Sequence, residues 1–297
     1  MKHLLLTVAL LSSSVLTMSY ANASQAEPIS VVASFSILAD VVKNVGGDHV
    51  KVISLVPANG DPHEFEPSPQ DAKAVKNAAA TFISGEGLEG WFSRLAKASG
   101  AKRSAALASA GINTHLFEED GQTMVDPHVW NSVPNVILWV RNIEKTLVAV
   151  DPDSAETYHH NAQRYTKQLT ILQRNIHTDI NSIPRDKRQI LTSHDAFGYY
   201  GREYGVTFLA PVGLSTETEA TAADVAKLID QIKAKKVKTY FIENSTDSRL
   251  VKQIANATQA TPGGELYPES LSAPTGPAPS YIRMMTYNTN QIVKALK

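Results

Sequence analysis

Apolar and aromatic residues recur every three or four positions between Asp151 and Pro184. The positions that form this series are Tyr158, Ala162, Tyr165, Leu169, Leu172, Ile176, Ile180 and Ile183. Such spacing predicts one helical face that is buried along its whole length. Two aspartates and a proline are typical of a first helical turn, and Pro184 predicts the end, because the residue before a proline avoids helical angles. About 30 residues at about 1.5 Å each predict a rod of roughly 45 Å.

This helix could be an ordinary core helix or half of a coiled coil, but strand and helix signals alternate on both sides of it. Strands are predicted at residues 29–35, 49–56, 80–85 and 104–110 before it, and at 189–193, 206–212, 238–243 and 264–267 after it. Strands separated by helices are typical of parallel sheets. The predicted fold class is therefore α/β, with two lobes, each a small, mainly parallel sheet flanked by helices, bridged by one long rigid helix. The predicted boundaries are 24–150 for the first lobe, 151–184 for the linking helix and 185–297 for the second lobe.

The beginning of the chain predicts export. Residues 4–16 form a short apolar run, and Ala21-Asn22-Ala23 fits a cleavage site, so residues 1–23 are interpreted as a secretory signal peptide. The chain has no cysteine. We therefore expect no disulfide and no lipid anchor on an N-terminal cysteine, and we expect a protein of the bacterial periplasm that is not lipid-anchored. Any metal would have to be held by nitrogen and oxygen ligands.

The charge of the chain gives no support for nucleic-acid binding. The formal net charge is −1 at pH 7, and no basic patch or run of lysine and arginine stands out in the sequence. We expect a monomer.

Three histidines follow predicted strands or lie in loops near them. His63 lies in an Asp-Pro-His loop, His128 lies in a second Asp-Pro-His loop, and His194 directly follows the strand at 189–193. Ligands of open α/β sheets bind beyond the carboxyl ends of strands, and neutral imidazole is the commonest metal ligand. A tetrahedral site needs a fourth group, which Glu269 could supply just past the last predicted strand.

Each histidine alone would more often be a structural residue than a ligand. The repetition of Asp-Pro-His favours metal ligands over structural residues, because proline stiffens the loop and the preceding aspartate could bind an imidazole N–H. Together with the Ser-His-Asp sequence at residues 193–195, these loops predict a metal site between the two lobes.

At this point the sequence resembles a known family, the cluster A-I solute-binding proteins, which are the zinc and manganese receptors of ABC importers. The resemblance covers essentially the whole mature chain and rests on residues 60–69, 126–130, 193–197 and 267–272, followed by Gly276-Pro277 and residues 281–285. It implies two α/β lobes bridged by one long helix, with the metal ligands at His63, His128, His194 and Glu269. It also implies a membrane permease of an ABC transporter as partner.

Two departures from the family pattern bear on the metal. The family usually has an aspartate at the fourth ligand position, where this chain has Glu269. Many zinc-specific members have a long histidine-rich loop before the second motif, where this chain has a short polar loop at residues 115–123. Its only remnant is His115 with Glu118, Glu119 and Asp120, which could bind a second metal weakly or could form an ordinary solvated loop.

Three imidazoles and one carboxylate favour Zn²⁺ as the transported ligand, with Mn²⁺ as the alternative. The expected function is high-affinity capture of the ion in the periplasm and its delivery to the importer, without enzymatic activity. A secreted zinc-dependent hydrolase is the rival interpretation, because three histidines and a water also form a catalytic site. We expect binding to weaken as pH falls through roughly 6.5, because protons compete for the imidazoles.

Overall fold

The computed structural model describes residues 27–119, 122–217 and 220–297. The predicted signal peptide lies outside these ranges. The strands are β1 Ile29–Phe35, β2 Val50–Val56, β3 Ala80–Ile83, β4 Ala106–Leu107, β5 Leu116–Glu119, β6 Gln122–Val125, β7 Gln189–Leu191, β8 Thr207–Leu209, β9 Thr239–Glu243 and β10 Thr261–Leu266. The helices are α1 Ser36–Gly46, α2 Pro69–Asn77, α3 Phe92–Ser99, α4 Val133–Val150, α5 Ala155–Asn181, α6 Gly198–Tyr204, α7 Ala222–Lys235, α8 Arg249–Thr258 and α9 Tyr281–Leu296. None of the helices in these ranges is both long and apolar enough to cross a membrane.

The first lobe is built on a parallel sheet with the strand order β2-β1-β3-β4. Its central strand pairs with both neighbours, so that Val32 lies opposite Ile53 and Thr81. Residues 31–35 of β1 are buried on both faces, as expected for a parallel strand covered by helices. The carboxyl end of β2 leads into the loop that carries His63.

The second lobe repeats this plan with the parallel order β10-β9-β7-β8. The register of β10 against β9 shifts between Pro262 and Gly264. Gly263 lies against the ring of Phe241, where a Cβ atom would come within 2.4 Å of the ring. This close contact requires glycine and keeps β10 packed against β9, so that the loop carrying Glu269 starts at the same sheet edge as His194.

Helix α5 is the long helix that the apolar spacing predicts. Its buried face contains every member of the predicted series that lies within its bounds. It contacts α1 and α4 of the first lobe and α6 and α9 of the second, and its buried residues belong to a hydrophobic core that includes residues from both lobes. Full burial of one Leu or Ile side chain is worth about 1.5–3 kcal/mol, so this face stabilises the arrangement of both lobes. The predicted two-lobed α/β fold is confirmed, and the lobe boundaries at residues 150 and 184 stay predictions.

One predicted loop is wrong. Residues 115–123 were expected to be irregular, but β5 and β6 form an antiparallel hairpin in which Leu116 pairs with Val125 and Phe117 with Met124. The acidic residues of this segment have low strand propensity and conceal the alternation, which explains the difference.

Candidate metal centre

The first candidate ligand, His63, lies in the loop between β2 and α2. Its backbone N–H donates to Asp61 Oδ1 over 2.7 Å, and the indole Nε1 of Trp91 donates to the carbonyl of Pro62 over 2.8 Å. These two bonds fix the loop on each side of the imidazole. Asp61 was expected to bind an imidazole N–H, but it binds this backbone N–H and, through Oδ2, the hydroxyl of Thr216 in the second lobe.

The second candidate ligand, His128, follows the hairpin. Asp126 Oδ1 lies 2.9 Å from both the backbone N and the ring Nδ1 of His128. A carboxylate only accepts hydrogen bonds, so Nδ1 carries the proton and Nε2 presents its lone pair. Here the expected partnership between the aspartate and the imidazole of an Asp-Pro-His loop is present.

The third candidate ligand, His194, follows β7 and is oriented by a residue that the sequence analysis missed. Glu243, the last residue of β9, places Oε2 2.6 Å from His194 Nδ1, and its Oε1 accepts from the backbone N–H of Ser193 over 2.9 Å. The signal for this residue was present, because Glu243 is a carboxylate at the carboxyl end of a predicted strand. The rule that selected the histidines would also have selected it.

The fourth candidate ligand, Glu269, is completely buried. The hydroxyl of Ser245 donates to its Oε1 over 2.9 Å. Its Oε2 has no hydrogen-bond partner among the described residues and faces the imidazoles. The carboxylate therefore presents a single oxygen to the centre.

All four predicted residues come together. Their ligand atoms lie within 4.8 Å of one another, and two come from each lobe. His63 Nε2 is 3.2 Å from His128 Nε2, and Glu269 Oε2 is 3.3 Å from the Nε2 atoms of His63 and His194 and 3.8 Å from that of His128. A tetrahedron of ligands at about 2.0 Å from an ion has edges of about 3.3 Å, which is close to three of these four distances.

The electrostatics of the site are those of a cluster that holds positive charge. Burial opposes the charged form of His194, but the carboxylates of Glu243 and Glu269 outweigh burial and raise the pKa of His194 well above its usual value. Burial also opposes ionisation of Glu269, but the charge of His194 and the closeness of the three imidazoles hold the pKa of Glu269 well below its usual value. Burial disfavours the charged form of His128 as well, yet Asp126 and Glu269 raise its pKa. A divalent cation would take the place of protons in this cluster.

The remaining candidates lie apart from the centre. The ring of His115 stacks on that of Tyr199 with their centroids 4.0 Å apart. The side chains of Glu118, Glu119 and Asp120 lie outside the described part of the chain, so the second metal site stays a prediction.

These features define a two-lobed α/β protein in which four buried nitrogen and oxygen groups, two from each lobe, could hold a metal ion. Residues 31–295 match the family model described as the periplasmic component A of the zinc-uptake complex. The chain belongs to this family, as the sequence resemblance indicated.

Relatives and solved structures agree with this assignment. A manganese ABC transporter substrate-binding lipoprotein, PsaA of Streptococcus mitis, is 33% identical over 282 residues, which are 93% of this chain and 91% of the relative. The periplasmic zinc-binding protein TroA of Treponema pallidum superimposes with a TM-score of 0.85 at 28% identity, over 91% of this chain and 99% of TroA. A Mn-bound periplasmic metal-binding protein from Candidatus Liberibacter asiaticus gives a TM-score of 0.82 at 30% identity, over 91% of this chain and 100% of that protein.

The comparisons overturn one prediction. The absence of cysteine led us to expect a protein that is not lipid-anchored, but the S. mitis protein and further relatives are named as lipoproteins. The prediction is therefore wrong. It rested on the absence of cysteine alone.

Proposed function

We propose that this protein captures a divalent transition-metal ion between its lobes and delivers it to the membrane permease of an ABC importer. The observation that carries the proposal is the convergence of four buried ligand atoms, two from each lobe, within 4.8 Å. Buried imidazoles and carboxylates with lone pairs aimed at one point are costly unless an ion or a proton fills that point. The relatives are named as substrate-binding proteins of manganese and metal ABC transporters, which supports the same function.

Zn²⁺ is the ion that the ligand set favours. Three imidazoles and one carboxylate oxygen suit zinc, whereas manganese prefers more oxygen ligands. Three of the separations, at 3.2 to 3.3 Å, are also close to the edges of a tetrahedron around a small ion. Several relatives are named for manganese and TroA is named for zinc, so Mn²⁺ is the alternative ion for the same site.

The position of Glu269 weighs against the hydrolase alternative. A catalytic zinc keeps an open position for water, whereas four protein ligands close a tetrahedral site. Glu269 Oε2 lies 3.3 Å from the Nε2 atoms of His63 and His194, which is the separation of two ligands of the same ion. A general base that acts through a bound water would lie farther from the imidazoles. The site is built to hold an ion and release it unchanged.

The test is the metal content and affinity of the chain and of matched variants. We expect one zinc per chain by mass spectrometry after purification without chelator. His194→Ala and Glu269→Ala should weaken binding strongly, whereas His159→Ala, which removes an exposed histidine of α5, should bind like the unchanged chain. Tighter binding of manganese than of zinc would overturn the choice of ion, and no binding of either metal would overturn the proposed function.

Delivery and oligomeric state need separate measurements. Cells that depend on this importer should lose metal uptake when the chain is absent, and should regain it with the unchanged chain but not with His194→Ala. Equal rescue by both would contradict delivery through this site. The predicted monomer is tested by light scattering on the eluting protein.

A further inference from the structure

Three of the four candidate ligands directly follow a proline. The dipeptides are Pro62-His63, Pro127-His128 and Pro268-Glu269. In two of them a buried indole N–H donates to the proline carbonyl: Trp91 to Pro62 over 2.8 Å and Trp130 to Pro268 over 2.7 Å. Each indole therefore fixes the peptide plane that leads into a ligand.

The bond made by Trp130 differs from that of Trp91 because it crosses between the lobes. Trp130 follows His128 by two residues in the first lobe, whereas Pro268 belongs to the second. The carbonyl of Trp130 in turn accepts from the hydroxyl of Tyr281 over 2.7 Å. Trp130 is thus bonded to the second lobe through its side chain and its backbone.

The next residue extends this connection to the third ligand. Asn131 Nδ2 donates to the carbonyl of Pro268 over 3.1 Å and to that of Ala196 over 2.8 Å. These carbonyls lie one residue before Glu269 and two residues after His194. One dipeptide of the first lobe therefore fixes both ligand segments of the second.

The carboxylate at the end of this connection has little freedom. Ser245 holds Oε1 of Glu269, and Oε2 points to the imidazoles. With the backbone fixed at Pro268 and one oxygen held, the side chain can offer one oxygen to an ion. Four-coordinate zinc needs no more, whereas an ion that prefers more oxygen ligands would need the carboxylate to turn or move closer.

On the basis of the proposed function, we infer that Trp130 and Asn131 are positioning residues that determine metal selectivity. They hold Glu269 at a distance and orientation that allow one oxygen ligand, and so favour a four-coordinate ion over one with a larger coordination shell. Neither side chain is a ligand of the ion.

Trp130 also has a structural role in the core, which must be distinguished from its proposed role in metal selectivity. Its ring packs against those of Phe35 and Trp139, with centroids 4.8 Å and 6.1 Å away. Trp139 is the matched control, because it is equally buried in the same core and its Nε1 donates to Ser109 Oγ over 3.2 Å, with no bond to a ligand segment. Substitution of either residue by Phe removes one indole N–H and a similar volume.

The experiment measures the dissociation constants for Zn²⁺ and Mn²⁺ by competition with a chelator, together with the absorption of the Co²⁺-loaded protein. Trp130→Phe should reduce the ratio of zinc to manganese affinity about ten-fold. It should also weaken the visible Co²⁺ absorption, which is strong for tetrahedral and weak for higher-coordinate cobalt. Both substitutions should lower the melting temperature to a similar extent, but Trp139→Phe should leave the ratio of zinc to manganese affinity and the Co²⁺ spectrum unchanged.

Asn131→Ala is the second variant, and it tests the inference by itself if Trp130→Phe does not fold. It should shift the ratio and the spectrum in the same direction. An unchanged ratio and spectrum in the folded variants would overturn this inference while the proposed function stands. An equal shift in Trp139→Phe would also overturn it, and failure of the unchanged chain to bind either metal would remove the proposed function.

Discussion

The strongest prediction concerns Glu243, which orients His194 but is too far along the chain to be part of its motif. Its carboxylate accepts from Nδ1 of His194 over 2.6 Å and from the backbone N–H groups of Ser193 and His194 over 2.9 and 3.3 Å. We consider Glu243→Gln, which keeps the shape of the side chain and removes its charge. Carboxylates in this position raise the basicity of a metal-binding imidazole, and their loss typically weakens metal affinity 10–100-fold, or about 1.4–2.7 kcal/mol.

A second effect of the same substitution has the opposite sign. In the metal-free protein, Glu243 is the largest cause that raises the pKa of His194, so the imidazole keeps its proton to a higher pH and the ion must displace that proton. Glu243→Gln lowers this pKa, and the ion then meets less competition. The loss of affinity should therefore be greatest at alkaline pH, where both proteins have a neutral imidazole, and smaller at neutral pH.

Isothermal titration calorimetry in buffers of different ionisation enthalpy counts the protons released on binding. The unchanged chain should release more protons per ion at neutral pH than Glu243→Gln, because its His194 has the higher pKa. Glu144→Gln is the matched control, because Glu144 pairs with the exposed His159 over 2.8 Å, and it should alter neither the affinity nor the proton count. An unchanged proton count in Glu243→Gln, or a loss of affinity that grows as pH falls, would refute the reasoning.

Three further predictions concern contacts around and away from the site. Thr216→Val removes the 2.8 Å bond to Asp61 and should speed metal dissociation about ten-fold in stopped-flow chelation, whereas Thr216→Ser should not. The raised pKa of His194 contributes stability to the metal-free protein, and this stability is lost as pH rises through that pKa. The melting temperature of the metal-free protein should therefore fall at alkaline pH, whereas that of the metal-loaded protein should not. Melting temperatures of the two forms that change in parallel with pH would contradict this. Ser68→Ala removes the bond that the Ser68 hydroxyl accepts from the backbone N–H of Asp71 and should lower the free energy of unfolding in urea by about 1 kcal/mol without changing metal affinity. Ser68→Asn should retain most of that free energy.

The sequence predicted best what local patterns determine. The buried face of α5 follows the apolar spacing of its residues, because a long amphipathic helix has one strong period and few competing structures. The strands around Phe35 and Val56 were also predicted within a residue of their bounds. The weakest predictions were short elements such as β4, which has two residues and is formed by pairing with β3 more than by its own propensity.

The four candidate ligands could be predicted from the sequence, whereas most of the bonds that position them could not. His63, His128, His194 and Glu269 were found because each lies at or near the carboxyl end of a strand, in a motif that indicates metal chemistry. The bonds made by Trp130 and Asn131 depend on how the first lobe docks against the second, and no local pattern records that docking. The same holds for Asp61, whose second oxygen binds Thr216 from the other lobe.

The cross-lobe bonds also determine how the site can open. On the side of α1, the backbone N–H of Leu271 donates to Ser36 Oγ over 3.0 Å and that of Tyr281 to Asp40 Oδ2 over 2.9 Å, while Asn59 donates to the carbonyl of Leu271 over 2.9 Å. Wide separation of the lobes would break all of these bonds at about 0.5–1.5 kcal/mol each, and would also expose the core shared through α5. Movement of the segment around Thr216 breaks the bond from Thr216 to Asp61 and leaves these bonds on the side of α1 in place. The less costly route for capture and release is therefore a local displacement at the cleft, with the two lobes held in nearly constant orientation.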